Sequence, residues 1–172
     1  MDFIELAQNR YSVRSFQNKP IGQHELELIL RAGQLAPTAC NRQPQRILVI
    51  NSADGLERLR RCTECHFNAP AALLVCCDTQ ECWTRRYDGK SSGDIDASIV
   101  ATHMMLEAAQ LGIGSTWVMY FKPDAVRSEF KLPESVEPVA LLMIGYPAAD
   151  AQPSPMHAQT RPLNELVVYN AF

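Results

Sequence analysis

The 172-residue sequence has no uninterrupted apolar run near the roughly 18 residues that a membrane-spanning helix needs, and its longest apolar stretches have the length of strands. No membrane association is expected. It also lacks a surplus of positive charge: 16 Lys and Arg against 19 Asp and Glu give a formal net charge of -3. A nucleic-acid binder concentrates positive charge on one face, so no nucleic-acid partner is expected. Eight Gly and 11 Pro carry no low-complexity bias, and 47% hydrophobic with 20% charged residues is ordinary for a globular chain. One domain spanning residues 1–172, with a substantial core, is expected. The opening Met1, Asp2, Phe3, Ile4 and Glu5 lack the basic start and apolar centre of an export signal, which points to the cytoplasm. In that compartment the six cysteines are expected to be reduced thiols, mostly acting as small apolar residues.

Several catalytic signatures are missing as well. There is no GxxxxGK[ST] run, and Gly112-Ile113-Gly114 follows a helix and lacks the third glycine of a dinucleotide fingerprint. Ser92 and Ser98 sit in no GxSxG elbow. None of the four histidines has an obvious catalytic partner: His24 reads as a surface side chain and His103 as a satisfied helix residue. Cys62-Thr63-Glu64-Cys65-His66 has the spacing of a haem attachment site, but that chemistry requires export. Zinc, with Cys82 as a further ligand, would need a second pair. Cys76 and Cys77 are adjacent and point to opposite sides of a strand, so no metal site is expected. Cys40 reads as a small buried thiol.

Three short stretches are dense in hydrogen-bonding groups: Arg10-Tyr11-Ser12-Val13-Arg14, then Pro37-Thr38-Ala39-Cys40-Asn41-Arg42-Gln43-Pro44, and Thr160-Arg161-Pro162. Arg10, Ser12, Arg14 and Arg161 offer guanidinium forks and a hydroxyl with no carboxylate among them, a set suited to phosphate rather than to a metal. Asn41 and Gln43 add paired donors and acceptors that suit a polyol chain or the edge of a flat heterocycle. For Arg10 and Arg14 taken alone, pairing with Glu5 or with solvent is the plainer reading. A phosphorylated cofactor would use both halves of the set.

Asp2 and Glu5 form a capping-box pattern ahead of a first helix over 3–9. Leu26, Ile29, Leu30 and Gly33 recur at helical spacing until Pro37, which leaves 37–43 as a loop. Residues 46–50 read as a strand, followed by a short helix around Leu56 and Leu59, and 71–77 is apolar at every position, as for a strand covered on both faces. Residues 83–93 read as a surface excursion. The strongest helix, 94–111, is apolar nearly all round, which predicts that one of its faces meets a second subunit in a homodimer. Residues 115–120 read as a strand or extended segment, 123–130 as a helix begun by Pro123, and 139–144 as a buried strand. Residues 148–157 read as a surface connection and 166–169 as a last strand placed to pair across the dimer.

In order along the chain, RYSVRSF at 10–16, APTACNRQP at 36–44, APAALLVCCD at 69–78, DIDASIVATHMMLEAAQLGIGSTWV at 94–118 and GYPA at 145–148 resemble the nitroreductase family of FMN-dependent oxidoreductases. Periodicity alone suggests a parallel α/β sheet. The resemblance implies instead an α+β, three-layer fold with a central, mostly antiparallel sheet flanked by helices, a homodimer, a C-terminal strand exchanged between subunits, and FMN bound at the interface. It implies that Arg10, Ser12 and Arg161 hold the phosphate and ribityl chain and that Arg14 reaches the pyrimidine edge. Pro37, Thr38, Ala39, Asn41 and Gln43 belong to a loop that approaches the cofactor, part of it from the partner subunit. Trp117, Met119 and Tyr120 line the ring, with a backbone N–H near residue 120. NADH or NADPH is the implied electron donor and a nitroaromatic, quinone or similar flat compound the acceptor, with no side-chain acid or base required.

Two positions depart from the family pattern: Gln45, where an aromatic residue is common, and Gln159, where some members carry a second basic phosphate ligand. The chain also lacks the inserted helices that roof the pocket in larger members, so that Trp83, Arg85, Arg86 and Tyr87 are left as the candidate lid. Two other readings stand beside the reductase: a module that stores, senses or modifies FMN, and a zinc-stabilised interaction protein.

Overall fold

A computed structural model describes residues 2–172. Helix α1 (Phe3–Asn9) begins with the expected capping box: Glu5 N–H donates to Asp2 Oδ1 at 2.8 Å and Asp2 N–H to Glu5 Oε2 at 3.0 Å. Helix α2 (Gln23–Leu35) stops before Ala36, which Pro37 forces out of the helical region to φ -62, ψ 137. Strand β1 (Gln45–Ile50), helix α3 (Ala53–Cys62), strand β2 (Ala71–Asp78), helix α4 (Gly93–Gln110), strand β3 (Gly114–Val118), helix α5 (Pro123–Phe130) and strand β4 (Val136–Gly145) follow.

The four strands run in the order β1-β2-β4-β3, with every pairing antiparallel. The parallel sheet suggested by periodicity is therefore corrected. A continuous apolar run reports only that both faces of a strand are covered, and here two helical layers cover an antiparallel sheet. Along β2, Ala71, Leu73, Val75 and Cys77 pack into one core with residues of α2 and α4, while Ala72, Leu74 and Cys76 pack into a second with residues of α3 and α5. The result is an α+β fold of three layers.

Helix α4 lies closest to the sheet and to α2. A Cβ on Gly33 would stand 2.8 Å from Met104 Cγ, so glycine is what lets the two helices approach. The inward side of α4 buries Ala97, Val100, Ala101, Met104 and Ala108. Its outward side keeps Ile95 at 51% exposure and leaves Ile99, Thr102 and Leu106 half-buried, beside the exposed Phe3 and Ile4 of α1. His103 is satisfied within the helix, its Nδ1 lying 2.9 Å from Ile99 O.

The C-terminal reading needs correction. Leu163–Leu166 form a single helical turn, α6, and 167–169 are not paired in any sheet. A strand requires a neighbour to hydrogen-bond, and the β-branched residues there find none within one chain. Leu163, Leu166, Val168 and Tyr169 are left exposed. Cys40 is likewise exposed rather than buried. No helix among the described residues is long and apolar enough to cross a membrane.

Candidate functional site

The first cationic stretch is pinned to the start of β3. Arg10 caps α1, its N–H donating to Leu6 O at 3.0 Å, and the chain then runs extended. Val13 N–H donates to Ser115 O at 3.0 Å, Ser12 faces Ser115 in a single parallel bridge, and Thr116 Oγ1 donates to Val13 O. Gly114 permits this approach, since a Cβ there would lie 2.6 Å from Val13 Cγ2. Because side chains alternate along an extended chain, burying Val13 turns Ser12 and Arg14 the other way. Arg14 is exposed, with Nη1 3.3 Å from Ser12 O.

The segment that leads to the third stretch comes to the same end of the molecule. Tyr11 packs edge-on against His157 at 6.2 Å between ring centroids, and His157 Nε2 lies 2.9 Å from Gln8 O. Arg161 follows four residues later and is exposed. All ion pairs among the described residues lie elsewhere, so Arg10, Arg14 and Arg161 have no carboxylate partner there. Arg10, Tyr11, Val13, Gly114, Ser115 and Pro147 line a surface pocket, and Ser115 Oγ is buried without a hydrogen-bond partner.

The loop 37–43 lies at the opposite end of α4. Its Ala39 N–H donates to Asp96 Oδ1 at 2.9 Å, and Ser92 Oγ donates to Asp96 Oδ2 at 2.7 Å, so a carboxylate only 2% exposed holds the loop. Thr38 Oγ1 accepts from Gln43 N–H at 3.0 Å and closes the loop on itself. Cys40, Asn41 and Gln43 all have φ near 50° (51, 51 and 52), a region that costs energy for residues other than glycine. Pro37, Asn41 and Gln43 are exposed, with Thr38 and Ala39 half-buried.

Within one chain these two ends stay apart. Asp96 and Ala109, which marks the pocket beside Arg10, are separated along α4 by about 20 Å at the helical rise of ~1.5 Å per residue. The structure thus gathers Arg10, Ser12, Arg14 and the segment leading to Arg161, and does not bring Pro37, Thr38, Ala39, Asn41 or Gln43 to them.

Strand β3 ends at Val118. Trp117 is half-buried against the α2/α4 core, and Met119 and Tyr120 emerge into solvent. Their turn is fixed to the end of α3: Thr63 Oγ1 donates to Tyr120 O at 2.5 Å and Lys122 N–H to Cys62 O at 2.9 Å. The CTECH stretch therefore has a positioning role through Thr63. Asp96, Ser92, Ser115 and Thr63 were not legible as site residues. Asp96 carried the one available signal, a carboxylate on an otherwise apolar helix side.

The 83–93 excursion is ordered. Thr84 and Ser91 bridge, Arg85 Nε donates to Asp88 Oδ1 at 2.7 Å, and Tyr87 at the tip is 98% exposed. The Arg85 guanidinium holds the Asp88 carboxyl below its ordinary range. Arg85 is thereby occupied, and Arg86 and Lys90 are the cations of this hairpin without an ion pair among the described residues.

The chain is similar to known proteins over nearly its whole length. The profile described as "Nitroreductase family" matches residues 7–72 and 64–146. A crystal structure of a nitroreductase family protein from Clostridium difficile 630 is 44% identical, with a TM-score of 0.94 and full coverage (100%) of both chains. A protein of Methanothermobacter thermautotrophicus, whose name pairs NADH dehydrogenase with NAD(P)H nitroreductase, is 28% identical over 163 residues, covering 86% of this chain and 78% of its own. The FMN reductase [NAD(P)H] of Bacillus subtilis is 25% identical over 168 residues, covering 86% of this chain and 66% of its own. With its all-antiparallel sheet between helical layers, the chain belongs to the nitroreductase family.

Proposed function

We propose that residues 1–172 form one FMN-binding domain of a homodimeric oxidoreductase, which takes electrons from NADH or NADPH and passes them to a nitroaromatic, quinone or similarly flat acceptor. The observation that carries this reading is the placement of two complementary donor sets at opposite ends of α4, whose outward face is apolar and uncovered. Packing α4 against its own copy about a two-fold axis, antiparallel, sets the cationic end of one protomer beside the loop of the other. It also covers Ile95, Ile99 and Leu106.

The residues present fit FMN. The guanidinium groups of Arg10 and Arg161, without carboxylate partners among the described residues, and the Ser12 hydroxyl match a phosphate dianion, and the Ser115 hydroxyl in the Arg10 pocket is buried without a partner among those residues. Arg10, Ser12 and Arg161 would hold the phosphate and ribityl chain, and Arg14 the pyrimidine edge, where its charge favours negative charge on the ring. Pro37, Thr38, Ala39, Asn41 and Gln43 of the partner protomer would close the site, held by Asp96. Trp117, Met119 and Tyr120 would border the ring, with Thr63 fixing the last of them. Bound there, FMN supplies the two-electron carrier between nicotinamide and acceptor. The chain's own part is orientation, exclusion of water and electrostatic tuning, so no side chain need act as acid or base.

Purified protein is expected to be yellow and to lose its visible flavin bands when NADH or NADPH is added without oxygen, regaining them with a nitroaromatic or quinone. A flavin that stays oxidised with both donors removes the reductase reading. Replacing Arg10 and Arg161 together by Ala is expected to weaken FMN binding by roughly a hundredfold or more through loss of two charge-assisted contacts.

A further inference from the structure

We propose that Cys77 and Cys82 are a dithiol that a peroxide oxidises reversibly to a disulfide, and that this bond loosens the loop 37–43. The inference goes beyond the flavin reading and does not depend on it. Both sulfurs converge on Gly93, the first residue of α4: a Cβ placed there would lie 2.8 Å from Cys77 Sγ and 2.9 Å from Cys82 Sγ. The missing side chain of Gly93 is the space into which the two thiols point. Cys82 follows the turn after β2, is partly exposed, and is steadied by an Sγ contact to Asp78 O at 3.2 Å. Cys77 is buried behind it.

The neighbouring Cys76 separates this arrangement from ordinary core packing. Burial pushes the Cys76 and Cys77 thiols up to about 12, but only for Cys77 is a second cysteine among the causes, Cys82 acting through both charge and hydrogen bonding. Of the two neighbouring sulfurs, the more exposed Cys82 is the one a peroxide reaches, and the buried Cys77 lies beside it to close the bond. Cys82 takes one oxygen from the peroxide as the O–O bond breaks, giving a sulfenic acid and releasing water. The Cys77 sulfur then displaces that oxygen as a second water, closing the S–S bond. The two thiols lose two electrons and two protons, and one peroxide becomes two waters.

The pair sits between both anchors of the loop. Asp78 N–H donates to Pro44 O at 2.8 Å beside the end of the loop, and Asp96, three residues after Gly93, accepts from Ala39 N–H at 2.9 Å. Drawing the sulfurs to the ~2.05 Å of a disulfide moves the side chains packed on Gly93 and shifts the first turn of α4 under Asp96.

The test uses the reduced full-length protein, treated with hydrogen peroxide and mapped by mass spectrometry without reduction. A disulfide joining Cys77 to Cys82, reversed by dithiothreitol, is expected, together with severalfold faster hydrogen exchange at the Ala39 amide. In Cys77→Ser, Cys82 is expected to persist as a sulfenic acid that a dimedone probe traps at least severalfold more than in the parent. Oxygen accumulating on Cys82 of the parent without a bond to Cys77 would overturn the proposal, as would oxidation confined to Cys40 with this pair still reduced. A disulfide that leaves Ala39 exchange unchanged would overturn its link to the loop. Neither readout involves FMN, so failure here is distinct from failure of the flavin site.

Discussion

The two sides of the sheet are finished in different ways. On the α3/α5 side the apolar residues are buried within the chain, and the outer surface carries ion pairs: Arg61 with Glu129, Arg60 with Glu57, Arg58 with Asp54 and Arg127 with Glu137. On the α2/α4 side apolar residues are buried within the chain as well, yet the outward face of α4 stays apolar and is bordered by Phe3, Ile4 and Ile95 in solvent. One side is complete in a single copy. The other leaves an apolar face open, on which the proposed dimer would form, and both halves of the candidate cofactor site border it. In the proposed function, the site forms on the side that is left open.

Substitutions on the two sides should therefore fail in different ways. Ile95→Glu places a charge on the open face at a position already in solvent in the single chain, so the protomer is expected to fold normally while its association weakens by roughly a hundredfold, and FMN content falls with it. Sedimentation and flavin absorbance measure both; an unaltered dimer would place the interface elsewhere. Leu59→Ala on the closed side removes a side chain only 2% exposed and is expected to cost about 2–5 kcal/mol in denaturant unfolding, with the oligomeric state unchanged. A smaller effect, present on both sides, is read by pH. Burial pushes Cys76, on the closed side, from 9.0 up to about 12. Folding therefore favours its protonated form: the stabilisation is complete below about pH 9 and is lost as pH rises towards 12. Cys76→Ala is expected to flatten that alkaline decline, and Cys77 keeps it from vanishing. An unaltered decline would remove Cys76 as its source.

Much of this could be read from the residues. The capping box at Asp2 and Glu5, the stop at Pro37 and the doubly apolar α4 are local patterns, and they fold as read. The sheet's direction was not legible from β2, because Leu73, Leu74 and Val75 encode burial on both faces and not the sense of the neighbouring strand. The 166–169 strand failed for a related reason: β-branched residues specify an extended chain, but pairing depends on a neighbour that one copy does not offer. In the site, the side chains of Arg10, Ser12, Arg14 and Arg161 stood out because unpaired guanidinium groups are conspicuous. Asp96 and Ser115 did not, since what marks them is the distant backbone they meet: Asp96 accepts from Ala39 N–H across 57 residues of chain, and Ser115 O accepts from Val13 N–H.

The central claim is that each FMN site takes its cationic wall from one protomer and its loop from the other. Mixing unfolded chains of Arg10→Ala/Arg161→Ala with chains of Asn41→Gly/Gln43→Gly, in which glycine keeps the left-handed backbone, and refolding them together tests it directly. A shared site predicts that neither variant alone binds FMN well, while the mixture recovers about a quarter of the parental sites, because half the dimers are mixed and each of these holds one intact site. Flavin binding that stays at the level of the separate variants would mean that each site is built within a single chain, and would contradict the account.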